Sequence, residues 1–351
     1  MSKKIAFFIG GMYGGGAERV ISILANHYCS IGWNVDLVLL LSNKVEYKLD
    51  DKIRIVDLVQ KKGAYYKRLP KWLVQIRKYV KKERPDRIVS FIGRINILVL
   101  TACLGLKIPI VVSERNDPKH DGRGSFMLKY CNRIYKHAKA VVYQTKYEQS
   151  CFSDKLKNGA IIANPVRIAV KPEPVQRPFE IVTAGRLLPQ KNQSMLISAI
   201  CELSQKFPEI NLKIYGEGTL REQLNTQIKD NNAESFIELC GNASNLHERE
   251  NGAGIFVLCS EFEGLSNALI EAMMLGLVCI STDYPGADEL IEDGYNGIIV
   301  PCGDVKKLAE TIDMVLSDNE LRSKLSNNAL ASSEQYREKV VINKWEEIIG
   351  G

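Results

Sequence analysis

The sequence predicts an α/β fold class with two doubly wound, parallel-sheet, Rossmann-like domains. Three observations predict it. Short apolar runs alternate with helix-like stretches from the first residues onward, and such alternation marks a mostly parallel sheet with crossover helices. The alternation breaks once, at Asn164-Pro165, where Pro172, Pro174 and Pro178 follow closely; proline at that density interrupts helix and sheet alike. The chain is 351 residues long, about two domains of ordinary size.

In the first half, apolar runs at 5–9, 35–41, 53–58, 87–91, 108–113, 140–144 and 159–162 read as strands. They are too short for helices and are bounded by charged or turn residues. Helices fit 17–30, 70–83, 95–104 and 125–137. In the stretch from Pro70, Trp72, Leu73, Ile76, Tyr79 and Val80 fall on one face. After the prolines, strands are expected at 179–184, 211–215, 236–239, 255–258, 278–282 and 297–300. Helices are expected at 192–206, 219–230, 267–275, 287–291 and 305–316, and the tail 321–349 reads as helix with Trp345, Ile348 and Ile349 on an apolar face. The domain boundaries follow as 1–165, 166–335 and a C-terminal helix at 336–351.

Composition narrows the function classes. With 45% hydrophobic and 25% charged residues the chain is globular, neither disordered nor coiled coil. Nine cysteines without a C-x-x-C pair argue against a disulfide framework or zinc ribbon and for a reducing, cytoplasmic setting. The longest apolar stretches, such as 95–106, are too short to span a bilayer. Residues 1–165 hold 30 Lys+Arg against 13 Asp+Glu, a balance of +17, whereas 166–351 hold 17 against 28, a balance of −11. A basic half suits phosphates or an anionic membrane surface. Nucleic acid is not expected, because no RNA- or DNA-binding signature accompanies the charge.

Chemistry is sought in loops after strands, since open parallel sheets bind ligands at the strands' carboxyl ends. The loop Gly10-Gly11-Met12-Tyr13-Gly14-Gly15-Gly16 opens a helix; glycines admit close backbone approach and a helix start offers N–H groups to an anion. Its spacing is neither the dinucleotide fingerprint nor a Walker loop. In the second half, Gly185-Arg186-Leu187-Leu188-Pro189-Gln190-Lys191 places two cations around one tight loop, a pair able to clamp a diphosphate. Further on, Glu261-Phe262-Glu263-Gly264-Leu265-Ser266-Asn267 leads into a helix that carries Glu271 eight residues after Glu263. Two carboxylates so placed can accept hydrogen bonds from sugar and ribose hydroxyls.

Glu263 and Glu271 at this spacing, with 185–191 upstream, resemble the retaining GT-B glycosyltransferases of the glycogen-synthase-like family 4. Gly-Gly-Ala-Glu-Arg at 15–19 is similar to their N-terminal loop, and Ala163-Asn164-Pro165-Val166 to their domain junction. Tyr215-Gly216-Glu217-Gly218, Cys240-Gly241-Asn242 and the run at 276–282 match later loops and a strand in the same order. The resemblance implies two domains facing across a cleft, an N-terminal acceptor-binding one and a C-terminal nucleotide-sugar-binding one. It also implies that the last helix returns to the N-terminal domain. It implies that Arg186 and Lys191 hold the donor diphosphate, that Glu271 binds the ribose and that Glu263 binds the transferring sugar. Arg186, Lys191 and Glu263 would be the catalytic set. Gly264, Leu265, Ser266 and Asn267 would contact sugar and phosphates, with Gly185 and Gly216 beside them. Gly241 and Asn242 would lie near the nucleobase, and Gly15 and Gly16 near the diphosphate. Many relatives carry a histidine where this chain has Arg115, which is then assigned to donor binding; His120 lies close in sequence, and a catalytic role for either stays open.

No metal or other cofactor is expected: no Asp-x-Asp triplet occurs, and the two cations would stand in for a metal ion. The donor expected is a nucleotide diphosphate sugar, with a tilt toward UDP. On the acceptor side, 61–87 holds eleven Lys/Arg and two acids with Tyr65, Tyr66, Trp72 and Tyr79 interleaved, the pattern of an interfacial helix. Lys71, Trp72, Lys78, Lys81 and Lys82 are its candidate membrane or acceptor contacts, placing the protein at the inner face of the cell membrane beside a lipid-linked or glycan acceptor. The same face could pack on the sheet and leave only the cations outside. A sugar-nucleotide epimerase and a non-catalytic partner subunit are the competing readings.

Overall fold

The computed structural model describes residues 2–60, 65–168 and 170–350, without the side chains of 65–67; Lys61 to Ala64, Ala169 and the side chains of Tyr65 and Tyr66 lie outside the described residues. Two compact units divide the chain, Met1–Pro165 with Lys339–Gly351, and Val166–Glu338.

The first unit is built on seven parallel strands, β1 (Lys4–Ile9), β2 (Asn34–Leu39), β3 (Arg54–Asp57), β4 (Arg87–Phe91), β5 (Ile110–Ser113), β6 (Ala140–Tyr143) and β7 (Gly159–Ile161). Their order is β3-β2-β1-β4-β5-β6-β7. β1, β4 and β5 are mostly apolar and almost wholly buried, as strands covered on both faces must be. One face carries α1 (Gly16–Ser30), whose Val20, Ile21 and Leu24 join Phe7, Ile9 and Phe91. The C-terminal helix (Glu338–Gly350) adds Val341, Ile342, Trp345 and Ile349 to that same cluster. The other face carries α2 (Tyr65–Glu83), α3 (Gly93–Cys103) and α4 (Ser125–Ile134), packed on Phe8, Ile88 and Val112. A short α5 (Lys146–Ser150) follows β6.

The second unit has six parallel strands, β8 (Arg177–Ala184), β9 (Asn211–Tyr215), β10 (Ile237–Gly241), β11 (Ala253–Leu258), β12 (Val278–Thr282) and β13 (Ile298–Val300), in the order β10-β9-β8-β11-β12-β13. Its helices are α6 (Gln193–Leu203), α7 (Arg221–Asp230), α8 (Leu246–Glu250), α9 (Asn267–Met274), α10 (Val305–Ser317) and α11 (Asn319–Ser333). Met195, Ile200, Ile228, Ile312 and Val315 pack on Ile181, Leu212 and Ile255 to form the core.

Several boundaries differ from the expectation. α2 begins at Tyr65, with Pro70 inside it; so near the start, proline forfeits one hydrogen bond to the first turn while its fixed φ suits a helix. Residues 287–291 make only a 3₁₀ turn, Ala287–Glu289. The tail is not one helix. Val166 N donates to Tyr336 O (2.9 Å) and Glu338 N to Val166 O (3.1 Å), a strand-like pairing that takes the backbone groups a continuous helix needs. α5 and α8, five residues each, are too short to leave a periodic pattern.

Candidate functional site

Strand order reverses between β8 and β11 in the second unit. Loops at the carboxyl ends of the two flanking strands diverge there, which opens a crevice at that edge. The two loops are the Gly185–Lys191 segment after β8 and the Cys259–Ser266 segment after β11, so both predicted motifs fall on the switch point.

Gln190 joins them. Its carbonyl accepts from Glu261 N at 2.9 Å and its side-chain Nε2 donates to Phe262 O at 2.6 Å. This sets Lys191 beside Glu263, and Lys191 Nζ is ion-paired with Glu263 Oε1. Ser260 Oγ donates to the same oxygen at 2.6 Å. Ser260 is fully buried, and its carbonyl accepts from Thr282 Oγ1 at 2.6 Å. Both bonds to the carboxylate end on Oε1, and a carboxylate has about four acceptor sites, so Oε2 can still take a hydroxyl. Arg186 is exposed on the same loop, its carbonyl held by Gln193 Nε2 at 3.2 Å. Asn192 adopts the left-handed conformation (φ 45°) that ends the loop and opens α6, a conformation asparagine tolerates well.

The neighbouring loops are stitched to this one. Gly185 N donates to Tyr215 O (2.9 Å), Leu187 N to Glu217 O (3.0 Å) and Gly216 N to Gly241 O (2.8 Å). Gly216 has φ +132°, and a Cβ there would lie 2.0 Å from Gly185 O, so glycine is required by both backbone and space. Gly241 also has positive φ, and Asn242 beyond it is exposed.

Ser266, 4% exposed, caps α9, and its Oγ accepts from Leu269 N at 3.4 Å. Gly264, Leu265 and Asn267 around it are half-buried. Glu271, on the second turn of α9, is 7% exposed, and its Oε2 lies 3.4 Å from His247 Nε2. Glu250 stands one turn beyond His247 on α8. It is 1% exposed, burial and the nearby Glu271 charge push its pKa up to about 8, and its Oε1 has no hydrogen-bond partner. Gln190 and Ser260 sit inside or beside the motifs read from the sequence; His247 and Glu250 left no signal there, because only the fold brings α8 against α9.

In the first unit, the glycine loop is strapped down by 44–47. Met12 N donates to Lys44 O (3.1 Å), Gly14 N to Glu46 Oε2 (2.9 Å) and Tyr47 Oη to Gly15 O (2.8 Å). Gly15 caps α1 and Gly16 is its first residue. Arg115 is buried inside the unit, and its Nη2 has no hydrogen-bond partner. Its Nε donates to Ser113 Oγ (2.7 Å) and Nη1 to Asn164 Oδ1 (2.8 Å), and its guanidinium lies 5.3 Å from the Phe91 ring and 5.4 Å from the Trp345 ring. Burial pulls its pKa down to about 10, against the opposing charge of Glu148, which leaves it charged at neutral pH. His120 Nδ1 is 2.6 Å from Asp117 Oδ2 on the half-exposed loop after β5.

Trp72, expected among the membrane or acceptor contacts, is corrected: it is 0% exposed within the α2–sheet core, with Nε1 donating to Leu58 O at 3.2 Å. The i, i+4, i+7 spacing that suggested an interfacial face instead packs that face on the sheet. Lys71, Lys78, Lys81 and Lys82 are exposed. Among the described residues no helix is long and apolar enough to cross a membrane.

Comparison with known proteins covers nearly the whole chain. Residues 14–169 match the family model described as Glycosyltransferase Family 4, and residues 167–331 the model described as Glycosyl transferases group 1. A Campylobacter jejuni protein is 28% identical over 99% of this chain and 98% of its own. Its name is GalNAc-alpha-(1->4)-GalNAc-alpha-(1->3)-diNAcBac-PP-undecaprenol alpha-1,4-N-acetyl-D-galactosaminyltransferase. A second protein of that organism, N-acetylgalactosamine-N,N'-diacetylbacillosaminyl-diphospho-undecaprenol 4-alpha-N-acetylgalactosaminyltransferase, is 26% identical over 95% of this chain and 96% of its own. Among solved structures, Anabaena HepE in complex with UDP superposes with a TM-score of 0.83 at 18% identity, covering all of both chains. The lipopolysaccharide outer core galactosyltransferase WaaB superposes with a TM-score of 0.81 at 20% identity over 99% of each.

Proposed function

Because the chain belongs to the glycosyltransferases of the group 1 and family 4 type, with the GT-B fold, we propose that it moves a hexose or N-acetylhexosamine from a UDP-linked donor, with retention, to a lipid-linked or glycan acceptor in cell-surface polysaccharide synthesis. The observation that carries this reading is the Lys191–Glu263 pair, held by Ser260 at the β8/β11 switch point. A cation and a carboxylate fixed side by side match the two charges of the reaction. Breaking the anomeric bond leaves negative charge on the departing diphosphate and positive charge on the sugar ring. Lys191 and Arg186 stabilise the first, and Glu263 orients the sugar through a hydroxyl. Preorganised groups of this kind are worth about 3–4 kcal/mol each in the transition state. Glu271 accepts from the ribose hydroxyls. The acceptor attacks from the leaving-group side, and a phosphate oxygen takes its proton, so no enzyme nucleophile is needed. The cations take the place of a metal ion, and activity should survive chelation by EDTA.

The names of the Campylobacter relatives support a lipid-diphosphate-linked acceptor; a position at the inner face of the membrane goes with that reading. UDP in the HepE complexes supports the donor. A thermal-shift panel of nucleotide diphosphates and nucleotide sugars tests the donor. UDP at one hundred times its Kd should stabilise the fold by about 2.7 kcal/mol. No stabilisation by any nucleotide overturns the reading, and turnover of a UDP-sugar without an acceptor favours an epimerase.

A further inference from the structure

Two helices of the second unit meet at Glu271. α8 leads into β11 and α9 leaves it. The chain crosses from β10 to β11 and then from β11 to β12 in one direction along the sheet, so right-handed connections put both helices on the same face. His247 Nε2 of α8 lies 3.4 Å from Glu271 Oε2 of α9. Glu250 is three residues further along α8, which in a helix is the same side. The sheet presents Tyr215, at the end of β9, and Cys279, in β12, to that face. Both are buried, and their strand neighbours Ile214, Val278 and Ile280 fill the core on the opposite one.

A carboxyl group is out of place here. Glu250 is the more deeply buried of the two glutamates, and its Oε1 has no hydrogen-bond partner. The groups around it give it no counter-charge. Arg249, next in the chain, is exposed and donates through Nε to Asn245 Oδ1 at 3.0 Å. His247 is engaged with Glu271. Burial pushes the Tyr215 phenol up to about 12 and the Cys279 thiol further up, so both stay neutral. The remaining neighbour, Glu271, repels a second negative charge. Two carboxyl groups in one buried place do not both ionise readily, and the more buried, unpartnered one keeps the proton.

We propose that Glu250 is a positioning residue for the donor nucleotide: held neutral behind Glu271, it leaves the local negative charge on Glu271, where the ribose hydroxyls meet it. The inference rests on the proposed UDP donor with Glu271 as its ribose contact, and deepens it. Hydroxyls that donate to Glu271 displace water from that carboxylate. With less water to screen them, the two carboxyl groups interact more strongly. Bound nucleotide therefore raises the cost of ionising Glu250, and by linkage ionised Glu250 weakens the nucleotide. Binding takes up a proton on Glu250, and the nucleotide is held less tightly as pH rises past about 8.

Titration calorimetry of the full chain with UDP tests this. The Kd for UDP should rise about fivefold between about pH 7 and about pH 9. At about pH 8, buffers of different ionisation enthalpy should report net proton uptake on binding. Glu250→Gln, which has the same shape and no ionisable proton, should lose both the uptake and the Glu250 share of the pH dependence. Glu271→Gln should weaken UDP and shrink the pH dependence as well, because the repulsion needs both carboxyl groups. 2′,3′-Dideoxy-UDP, with the same diphosphate and no ribose hydroxyls, should bind the wild type with a much flatter profile. A wild-type Kd that does not change with pH overturns the proposal and leaves the UDP donor standing. So does a slope that Glu250→Gln or the dideoxy nucleotide leaves intact, since the titrating group or the contact is then another. No UDP binding at any pH overturns the donor reading itself and this inference with it.

Discussion

At the scale of single residues, the Lys191–Glu263 pair yields the sharpest prediction. Lys191→Ala should lower kcat by about 10²–10³ if Lys191 stabilises the leaving diphosphate, with the fold intact by circular dichroism. The effects of Lys191→Ala and Glu263→Ala should not add, because either change breaks the same ion pair; additive losses would mean that the two act independently. Glu250 makes a different prediction. Its pKa rises from the ordinary 4.5 to about 8 on folding, so the folded state holds a proton that the unfolded state releases. The stability this contributes is complete below about pH 4.5 and is lost as pH rises to about 8, at about 1.4 kcal/mol per pH unit. Glu250→Gln should flatten that slope in urea titrations across the window, and an unchanged slope would show that Glu250 ionises freely. These residues also show what could be read in advance. Arg186, Lys191, Glu263 and Glu271 stand in recognisable runs. Glu250 and His247 do not, because their significance comes from Glu271 on another helix.

At the scale of elements, α2 shows how periodicity can be right about form and silent about partner. Its apolar stripe was legible, and so were its cations. Whether the stripe meets lipid or protein is a property of the sheet beneath it. Trp72 and Ile76 go into the core, and the exposed large apolar residues of these helices are Val74 on α2 and Phe126 and Met127 on α4. Trp72→Ala should therefore act on stability, costing the first unit about 3–5 kcal/mol in denaturant unfolding. Trp72→Phe, which gives up the bond to Leu58 O and part of the buried ring volume, should cost less than Trp72→Ala in the same titration; unfolding midpoints equal to wild type in both variants would return Trp72 to the surface. The strands were legible almost throughout, since continuous apolar runs identify strands covered on both faces. The short helices and the break at 334–338 were not. There, tertiary pairing of Val166 with the backbone around Arg337 overrides local helix preference.

At the scale of the whole molecule, the chain begins and ends in the same unit. The C-terminal helix lays Trp345 against Phe91, ring centroids 5.6 Å apart, and under the Arg115 guanidinium. The apolar face of that helix is plain in the sequence, but no local pattern says which sheet it covers; the family resemblance alone suggested the first. The arrangement closes the first unit only after the whole second unit has been made. Trp345→Ala should remove a buried indole from the first unit's core at a cost of about 3–5 kcal/mol, and truncation before Lys339 should expose Phe91, Ile9 and their neighbours on one sheet face. Amide hydrogen exchange distinguishes the units. In both variants β1 and β4 should lose protection while β8 and β11 keep theirs, since α6, α10 and the six-stranded sheet share no core residue with that helix. Equal loss in both sheets would show that the two units unfold as one cooperative body. The same experiment repeated with UDP should raise protection in β8 and β11 even in the truncated chain, because the Lys191–Glu263 site is built from the second unit's own strands and loops.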